Sequence, residues 1–274
     1  MTQEKYALVT GASAGIGQEY ADVLAQNGYH LVLTARREKR LAELARELQT
    51  KHGVQVHYFA HDLSDPKAVG QLAQNIEKAG LEIDFLLNNA GYTVPGKFDR
   101  AKWSAQQELI TTMLGAPTEL IHLLAPKMRE KGSGYIVNVA SVAGLLPGAP
   151  GGTLYGPIKS FVVKFSQALY AEYAPFGVHV QGLCPGFVMS EFHDMAGNRE
   201  KMNRLPKYMW LDRRHLCETS FQNVMVNKGP ICVPGLFYKV LTSIIKLLPN
   251  NFAARQLARH DRNAETLPQH ARDE

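Results

Sequence analysis

The chain has 274 residues, of which 45% are hydrophobic and 20% are charged, a composition typical of a globular protein with a large core. The formal net charge is +5, from 30 basic and 25 acidic residues dispersed along the sequence, so we expect no nucleic acid among its partners. No apolar run reaches the ~18 residues that a membrane span requires. The first predicted strand begins at residue 6, so we expect no signal peptide.

The cysteines stand at positions 184, 217 and 232, without the C-x-x-C spacing or histidine grouping of a metal site. A sparse, odd number of cysteines is typical of reduced thiols. We therefore expect a cytoplasmic protein without a bound metal.

Short apolar runs alternate with helical patterns along the chain. The predicted strands cover residues 6–9, 30–34, 54–60, 83–87, 135–139, 178–183 and 231–233. The predicted helices lie near residues 16–27, 38–51, 66–79, 100–130, 154–173, 212–227 and 234–248. This alternation predicts an α/β fold with a single doubly wound, parallel, seven-stranded sheet and helices on both faces. Residues 1–249 would form this domain, and residues 250–274 a polar C-terminal tail.

A glycine-rich turn, TGASAGIG, occupies residues 10–17 between the first predicted strand and the first predicted helix. Gly11, Gly15 and Gly17 permit a tight turn and close backbone approach, and a helix N-terminus offers free N–H groups to an anion. The spacing G-x-x-x-G-x-G differs from the common G-x-G-x-x-G fingerprint. The turn predicts a phosphate-binding site that includes Ser13 and Ile16.

Tyr155 and Lys159 are four residues apart and share one face of a predicted helix. An ammonium about 4 Å from a phenol stabilises the phenolate by ~1–4 kcal/mol. Lys159 is therefore expected to lower the pKa of Tyr155 and make it a usable general acid/base.

These motifs together resemble the short-chain dehydrogenase/reductase family, from about residue 5 to residue 233. The resemblance rests on the glycine turn, Asp62, the NNAG run at residues 88–91, Ser141 with Tyr155 and Lys159, and the Pro-Gly pair at residue 185. It implies a Rossmann fold, hydride transfer between a nicotinamide cofactor and a carbonyl or alcohol, and a homodimer or homotetramer formed through the fourth and fifth helices. Ser141 would hydrogen-bond the substrate oxygen, and Tyr155 would transfer the proton.

The resemblance also implies a set of cofactor contacts, spread over the glycine turn, the strand ends and the active-site helix. Asp62 has a second interpretation, as a helix N-cap carboxylate. The implied contacts are Gly11, Ser13, Gly15, Ile16, Gly17, Asp62, Leu63, Asn89, Ala90, Gly91, Tyr155, Lys159, Pro185, Gly186, Val188 and Ser190.

The choice of cofactor depends on the residues after the second predicted strand. NAD-dependent relatives carry an acid there, whereas this chain has Ala35 followed by Arg36 and Arg37. Guanidinium groups match a 2′-phosphate in charge and geometry. The sequence therefore predicts NADP(H), with Arg36 as the main contact, against the alternative of a solvated arginine pair at a helix start.

The chain departs from the family pattern at two places. Met113 stands where the family has an Asn that holds a helix irregularity, and Thr112 is a candidate for partial compensation. Ser141 and Tyr155 are 14 residues apart, one more than usual, and the loop between them can absorb the extra residue.

The leading hypothesis is an NADPH-dependent reductase acting on a hydrophobic ketone or secondary alcohol. The alternatives are a cofactor-binding regulator or scaffold that has lost catalysis, and a 3-oxoacyl thioester reductase. We expect the amphipathic stretch 236–248 to cover the protein's own core instead of a membrane surface. The candidate pocket residues are largely apolar: Val142, Leu146, Thr153, Phe187, Phe192, Met195, Met202, Tyr208, Met209 and Trp210.

Overall fold

The computed structural model describes residues 4–148, 153–189 and 205–247. The predicted tail, Ser190 and three of the candidate pocket residues (Phe192, Met195 and Met202) lie outside these ranges. The strands are β1 (Tyr6–Thr10), β2 (His30–Ala35), β3 (Val56–Ala60), β4 (Ile83–Asn88), β5 (Gly134–Val139), β6 (Val178–Leu183), β7 (Phe187–Val188), β8 (Trp210–Leu211) and β9 (Ile231–Cys232). The α-helices are α1 (Gly15–Gln26), α2 (Glu38–His52), α3 (Ala68–Lys78), α4 (Trp103–Ile110), α5 (Ala116–Lys131), α6 (Tyr155–Tyr173), α7 (Arg213–Met225) and α8 (Leu236–Leu247).

Seven strands form one parallel sheet in the order β3-β2-β1-β4-β5-β6-β9, which confirms the predicted architecture. Every residue of β1 and β4 is buried, as expected for central strands covered by helices on both faces. The chain moves outward from β1 to β3 and then returns to β4. A crevice therefore opens at the carboxyl ends of β1 and β4, where this fold places ligands. The short pairing of β7 with β8 was not predicted.

The helix predicted over residues 100–130 is interrupted. A π turn, Thr111–Gly115, separates α4 from α5, and the backbone N–H of Ala116 donates to the carbonyl of Thr111, five residues earlier. Pro117 has no N–H to donate to the carbonyl of Met113, so a regular α-helix would lose a bond at this point. The proline explains the irregularity without a side-chain hydrogen bond from residue 113.

Met113 is buried in this turn and packs in an apolar cluster with Leu109 and Ile158. Its side chain also covers Gly91, where an added Cβ would lie 3.3 Å from the Met113 Cε atom. The helix irregularity is therefore present with methionine at the family's Asn position, and the Met113 side chain packs against apolar side chains.

We expect Met113→Asn to lower the free energy of unfolding by about 1–3 kcal/mol, because a buried amide would replace the apolar contacts of Met113 with Leu109 and Ile158. Met113→Leu, which nearly conserves volume, should cost less than about 1.5 kcal/mol. Urea unfolding of both variants measures the difference. An Asn variant as stable as the wild type would show that this turn already offers an amide its hydrogen bonds.

Candidate active site

One cavity of about 470 Å³ runs along the carboxyl ends of the central strands. It brings together nearly all of the predicted site residues. Those that line it are Gly11, Ser13, Gly15, Ile16, Arg36, Arg37, Asp62, Leu63, Asn89, Ala90, Gly91, Ser141, Tyr155, Lys159, Pro185, Gly186 and Val188. Gly17 does not line the cavity, and Ser190 lies outside the described residues.

The glycine turn has the backbone that its sequence requires. Gly11 and Gly15 have φ values of +64° and +62°, which side chains disfavour. Gly17 lies behind the turn, where an added Cβ would stand 2.4 Å from the carbonyl oxygen of Gly11. Gly17 therefore has a packing role, since it lets α1 approach the turn closely. Its contact with a cofactor stays a prediction.

Thr10 and Asn89 join the turn to the end of β4. The Thr10 hydroxyl accepts hydrogen bonds from the backbone N–H groups of Asn89 (2.9 Å) and Ala90 (3.1 Å). The Asn89 amide donates to the carbonyl oxygens of Thr10 (3.0 Å) and Gly11 (3.2 Å). These bonds fix the two strand ends that form the floor of the cavity. This role of Thr10 was not predicted from the sequence.

At the far end of the cavity, the Arg37 guanidinium donates from Nε and Nη2 to the Ser13 hydroxyl, at 3.2 and 3.0 Å. Arg36 lines the same region. Asp62 accepts hydrogen bonds from the backbone and side chain of Ser64, at 3.0 and 2.9 Å, so its carboxylate stabilises a turn while it borders the cavity. Arg36, Arg37 and Ser13 therefore line the part of the cavity where the sequence predicted a 2′-phosphate.

Ser141, Tyr155 and Lys159 meet in the middle of the cavity. The Ser141 side chain accepts from the Ala143 N–H at 3.1 Å, capping a short 3₁₀ turn, and is hydrogen-bonded to Tyr155. Gly144 in that turn lies so close to α6 that an added Cβ would stand 2.5 Å from the Lys159 backbone. This close approach brings the serine to the start of α6. Ser141 and Tyr155 therefore meet although they are one residue further apart in the sequence than usual.

The electrostatics of this trio differ from the sequence-based expectation. Burial raises the pKa of Tyr155 to about 12, and the hydrogen bond with Ser141 offsets only part of that effect. The Lys159 ammonium lies 5.7 Å from the centre of the Tyr155 ring and donates to the Val139 carbonyl at 2.6 Å. Burial also lowers the pKa of Lys159 to about 8, partly opposed by Cys184. The predicted lowering of the Tyr155 pKa is therefore not seen, because removal from water penalises both charged forms.

The segment after β6 is fixed by Tyr238 of α8, a residue that the sequence analysis overlooked. The Tyr238 hydroxyl accepts from the Phe187 N–H at 3.0 Å and donates to the carbonyl of Met209. Gly186 accommodates the Tyr238 ring, since an added Cβ would lie 2.0 Å from it. No sequence motif predicts this contact, because Gly186 and Tyr238 are 52 residues apart in the chain.

The side of the cavity beyond Tyr155 is largely apolar. Val142, Leu146 and Phe187 line it as predicted, and Tyr92 is an additional lining residue. Four other candidates, Thr153, Tyr208, Met209 and Trp210, are described but do not line the cavity. The Trp210 ring instead packs 5.9 Å from that of Phe187.

In the described part of the chain, no helix is both long and apolar enough to cross a membrane.

Three known proteins are similar to this chain in sequence or in structure. A very-long-chain 3-oxoacyl-CoA reductase-A from Danio rerio is 33% identical over 193 residues, covering 68% of this chain but only 59% of that protein. A short-chain dehydrogenase from Sphingobium yanoikuyae, solved in complex with NADPH, superposes with a TM-score of 0.76 at 31% identity, covering 98% of this chain and 99% of that one. The bulky-bulky ketone specific alcohol dehydrogenase from Comamonas testosteroni gives 0.74 at 29% identity, with 98% of each chain covered.

The family model for short chain dehydrogenase matches residues 5–201. That range holds the glycine turn, the Ser141, Tyr155 and Lys159 trio and the residues after β6. The chain therefore belongs to the short-chain dehydrogenase/reductase family of oxidoreductases.

Proposed function

We propose that this protein is an NADPH-dependent reductase of bulky, apolar ketones, which also catalyses the reverse oxidation of the secondary alcohols. The observation that carries the proposal is the continuity of one cavity. It joins a polar end, with Arg36, Arg37 and Ser13, to an apolar end beside Tyr155. The structural similarity to an NADPH complex and to an alcohol dehydrogenase specific for bulky ketones supports both halves of the proposal.

The residues present fit a dinucleotide. The glycine turn presents backbone where side chains would intrude, and the N-terminus of α1 favours a pyrophosphate. Arg36 and Arg37 would hold the 2′-phosphate, with Ser13 orienting Arg37. Asp62 and Leu63 would border the adenine, and Asn89, Ala90, Gly91 and the Pro185–Val188 segment the remaining cofactor groups, with Ile16 beside the pyrophosphate.

NADPH, when bound, supplies the hydride. In the proposed mechanism, the Ser141 hydroxyl donates a hydrogen bond to the substrate carbonyl oxygen and polarises it. Tyr155 carries its proton at neutral pH, because burial has raised its pKa to about 12, and gives that proton to the developing alkoxide. The Lys159 ammonium stabilises the phenolate that remains.

The two alternative functions, a regulator without catalysis and a 3-oxoacyl thioester reductase, are not equally supported. A regulator without catalysis is disfavoured because Ser141, Tyr155 and Lys159 are assembled and the π turn is intact despite Met113. A 3-oxoacyl thioester reductase is supported by the Danio rerio relative. The basic residues considered for a thioester arm, Arg199, Lys201 and Arg204, lie outside the described residues.

The oligomeric state and the cellular location are also proposed from the structure. We propose a homodimer or homotetramer, supported by large exposed side chains on α4, α5 and α6: Trp103 (64% exposed), Leu123 (40%) and Phe161 (36%). All three cysteines are buried and unbonded to one another, which supports the proposed cytoplasmic location.

NADPH consumption with a panel of apolar ketones and 3-oxoacyl-CoA thioesters tests the proposed activity. Tyr155→Phe should lower kcat/KM by about 10²–10⁴-fold, because the proton donor is lost. Tyr170→Phe, a matched change on the same helix away from the cavity, should leave it unchanged. Turnover confined to the thioesters would favour the alternative substrate class, and a Tyr155→Phe variant as fast as the wild type would refute the mechanism.

Cofactor selection provides a second prediction. Arg36→Ala and Arg37→Ala should each raise KM for NADPH by about 10–100-fold, since a charge-assisted hydrogen bond contributes ~1.5–3 kcal/mol, while KM for NADH stays the same. Arg46→Ala on the exposed side of α2 is the control. Equal effects on both cofactors would show that the arginines do not contact a 2′-phosphate.

The pH dependence follows from the pKa values of the trio. Ketone reduction needs Tyr155 protonated and Lys159 charged, so kcat/KM should be level near pH 7 and fall as pH rises through about 8, where Lys159 loses its proton. The residual activity of Lys159→Arg, whose guanidinium stays charged, should lack this decline. A wild-type profile level to pH 10 would contradict the assignment.

A further inference from the structure

The hydroxyl of Tyr238, in α8, joins two separate segments of the chain. It accepts a hydrogen bond from the Phe187 N–H in β7, at 3.0 Å, and donates one to the carbonyl of Met209, which directly precedes β8. A phenol has a single proton, so the bond to Met209 uses its only donor and the bond from Phe187 uses a lone pair. Burial raises the pKa of Tyr238, so the hydroxyl keeps that proton at neutral pH.

The packing of the Tyr238 ring fixes the place of this hydroxyl. Tyr238 is only 1% exposed, and its ring lies directly against the backbone of Gly186, where an added Cβ would stand 2.0 Å from the Tyr238 Cζ atom. The ring of Phe237 packs against it edge-on, with 5.1 Å between the ring centres. A side chain at position 186 would displace the ring, so Gly186 and Tyr238 together determine where the hydroxyl stands.

Phe187 carries this contact to the large cavity. Phe187 lines the apolar side of that cavity, whereas Tyr238 and Trp210 do not line it. In the pairing of β7 with β8, Phe187 stands opposite Trp210, and their ring centres are 5.9 Å apart. Two residues earlier, the Pro185 carbonyl accepts from the N–H of Val142, next to Ser141, at 2.9 Å. The Phe187 ring is therefore held between the serine turn on one side and Tyr238 with Trp210 on the other.

We propose that Tyr238 is a positioning residue, which fixes the Phe187 ring as a wall of the cavity and so sets the fit of large apolar ketones beside Tyr155. A wall that is already ordered spares the substrate the cost of ordering it on binding. A ketone large enough to touch Phe187 gains from this, and a ketone too small to reach it does not. The role toward ketones rests on the proposed function, whereas the fixing of Phe187 by Tyr238 does not.

Two variants of α8 separate this role from ordinary packing. Tyr238→Phe removes the hydroxyl and keeps the ring against Gly186. Thr242→Val is the matched control, because it removes another buried hydroxyl of the same helix, one that donates to the Tyr238 carbonyl at 2.8 Å and does not contact β7. Amide hydrogen exchange of the full chain, followed by NMR, reports on the Phe187 N–H directly. The amide of Val180 in β6 serves as the reference for changes in overall stability.

Relative to Val180, exchange of the Phe187 amide should become about 10-fold faster in Tyr238→Phe and stay unchanged in Thr242→Val, because only the first variant removes its acceptor. No acceleration in Tyr238→Phe, or the same acceleration in both variants, would overturn the proposal. If Tyr238→Phe does not fold, the wild type provides the check. Its Phe187 amide should exchange at least about 100-fold more slowly than an unstructured amide, and exchange at the unstructured rate would overturn the proposal.

Steady-state kinetics test the consequence for substrates. Tyr238→Phe should raise KM for a bulky apolar ketone by about 3–10-fold, with kcat constant, and leave kcat/KM for acetone unchanged. Thr242→Val should change none of these values. Phe187→Ala should also raise KM for the bulky ketone, and adding Tyr238→Phe to it should have no further effect, because the ring that Tyr238 positions is then absent.

Two kinetic results would overturn the role in substrate fit: equal losses for the bulky ketone and acetone, or effects of Tyr238→Phe and Phe187→Ala that simply multiply. The exchange measurement keeps the two proposals distinguishable. Faster exchange of the Phe187 amide in Tyr238→Phe, in a protein that reduces no ketone, would refute the proposed function and support the positioning of Phe187 by Tyr238.

Discussion

The candidate active site depends on the junction between the ends of β1 and β4. The Thr10 hydroxyl receives two backbone N–H groups from the start of the next loop, and the Asn89 amide returns two bonds to the turn. Gly17 makes this possible, because any side chain there would meet the Gly11 carbonyl. These bonds hold the glycine turn against the end of β4, at the point where the strand order reverses. The cavity lies at this point.

Burial is the second constraint, and it affects the two ionisable groups of the site in opposite directions. It keeps Tyr155 protonated and brings the pKa of Lys159 down to about 8. The protein therefore favours the proton-donating form of the tyrosine, as ketone reduction requires. The same burial makes every hydrogen bond to the Lys159 ammonium important, because the charged form loses the stabilisation of bulk water.

Patterns confined to neighbouring residues could be predicted from the sequence. The glycine turn, the Tyr155–Lys159 pair and the alternation of strands and helices each depend on local spacing, and the sheet and cavity agree with them. Contacts across the fold could not be predicted in this way. Tyr238 of α8 contacts Gly186, which lies between β6 and β7, and Gly17 packs against the carbonyl of Gly11. The pKa of Tyr155 was misjudged because burial cannot be read from a four-residue spacing. The π turn carried a local signal, Pro117, that the helical periodicity obscured.

The most direct test of the proposed function measures hydride transfer from NADPH to a ketone. The enzyme would be incubated with NADPH deuterated at both C4 positions of the nicotinamide and with a bulky apolar ketone, and the alcohol analysed by mass spectrometry. We expect one deuterium on the carbinol carbon, with formation of the alcohol strongly reduced in Tyr155→Phe. An alcohol without deuterium, or equal deuterium transfer by the phenylalanine variant, would contradict it.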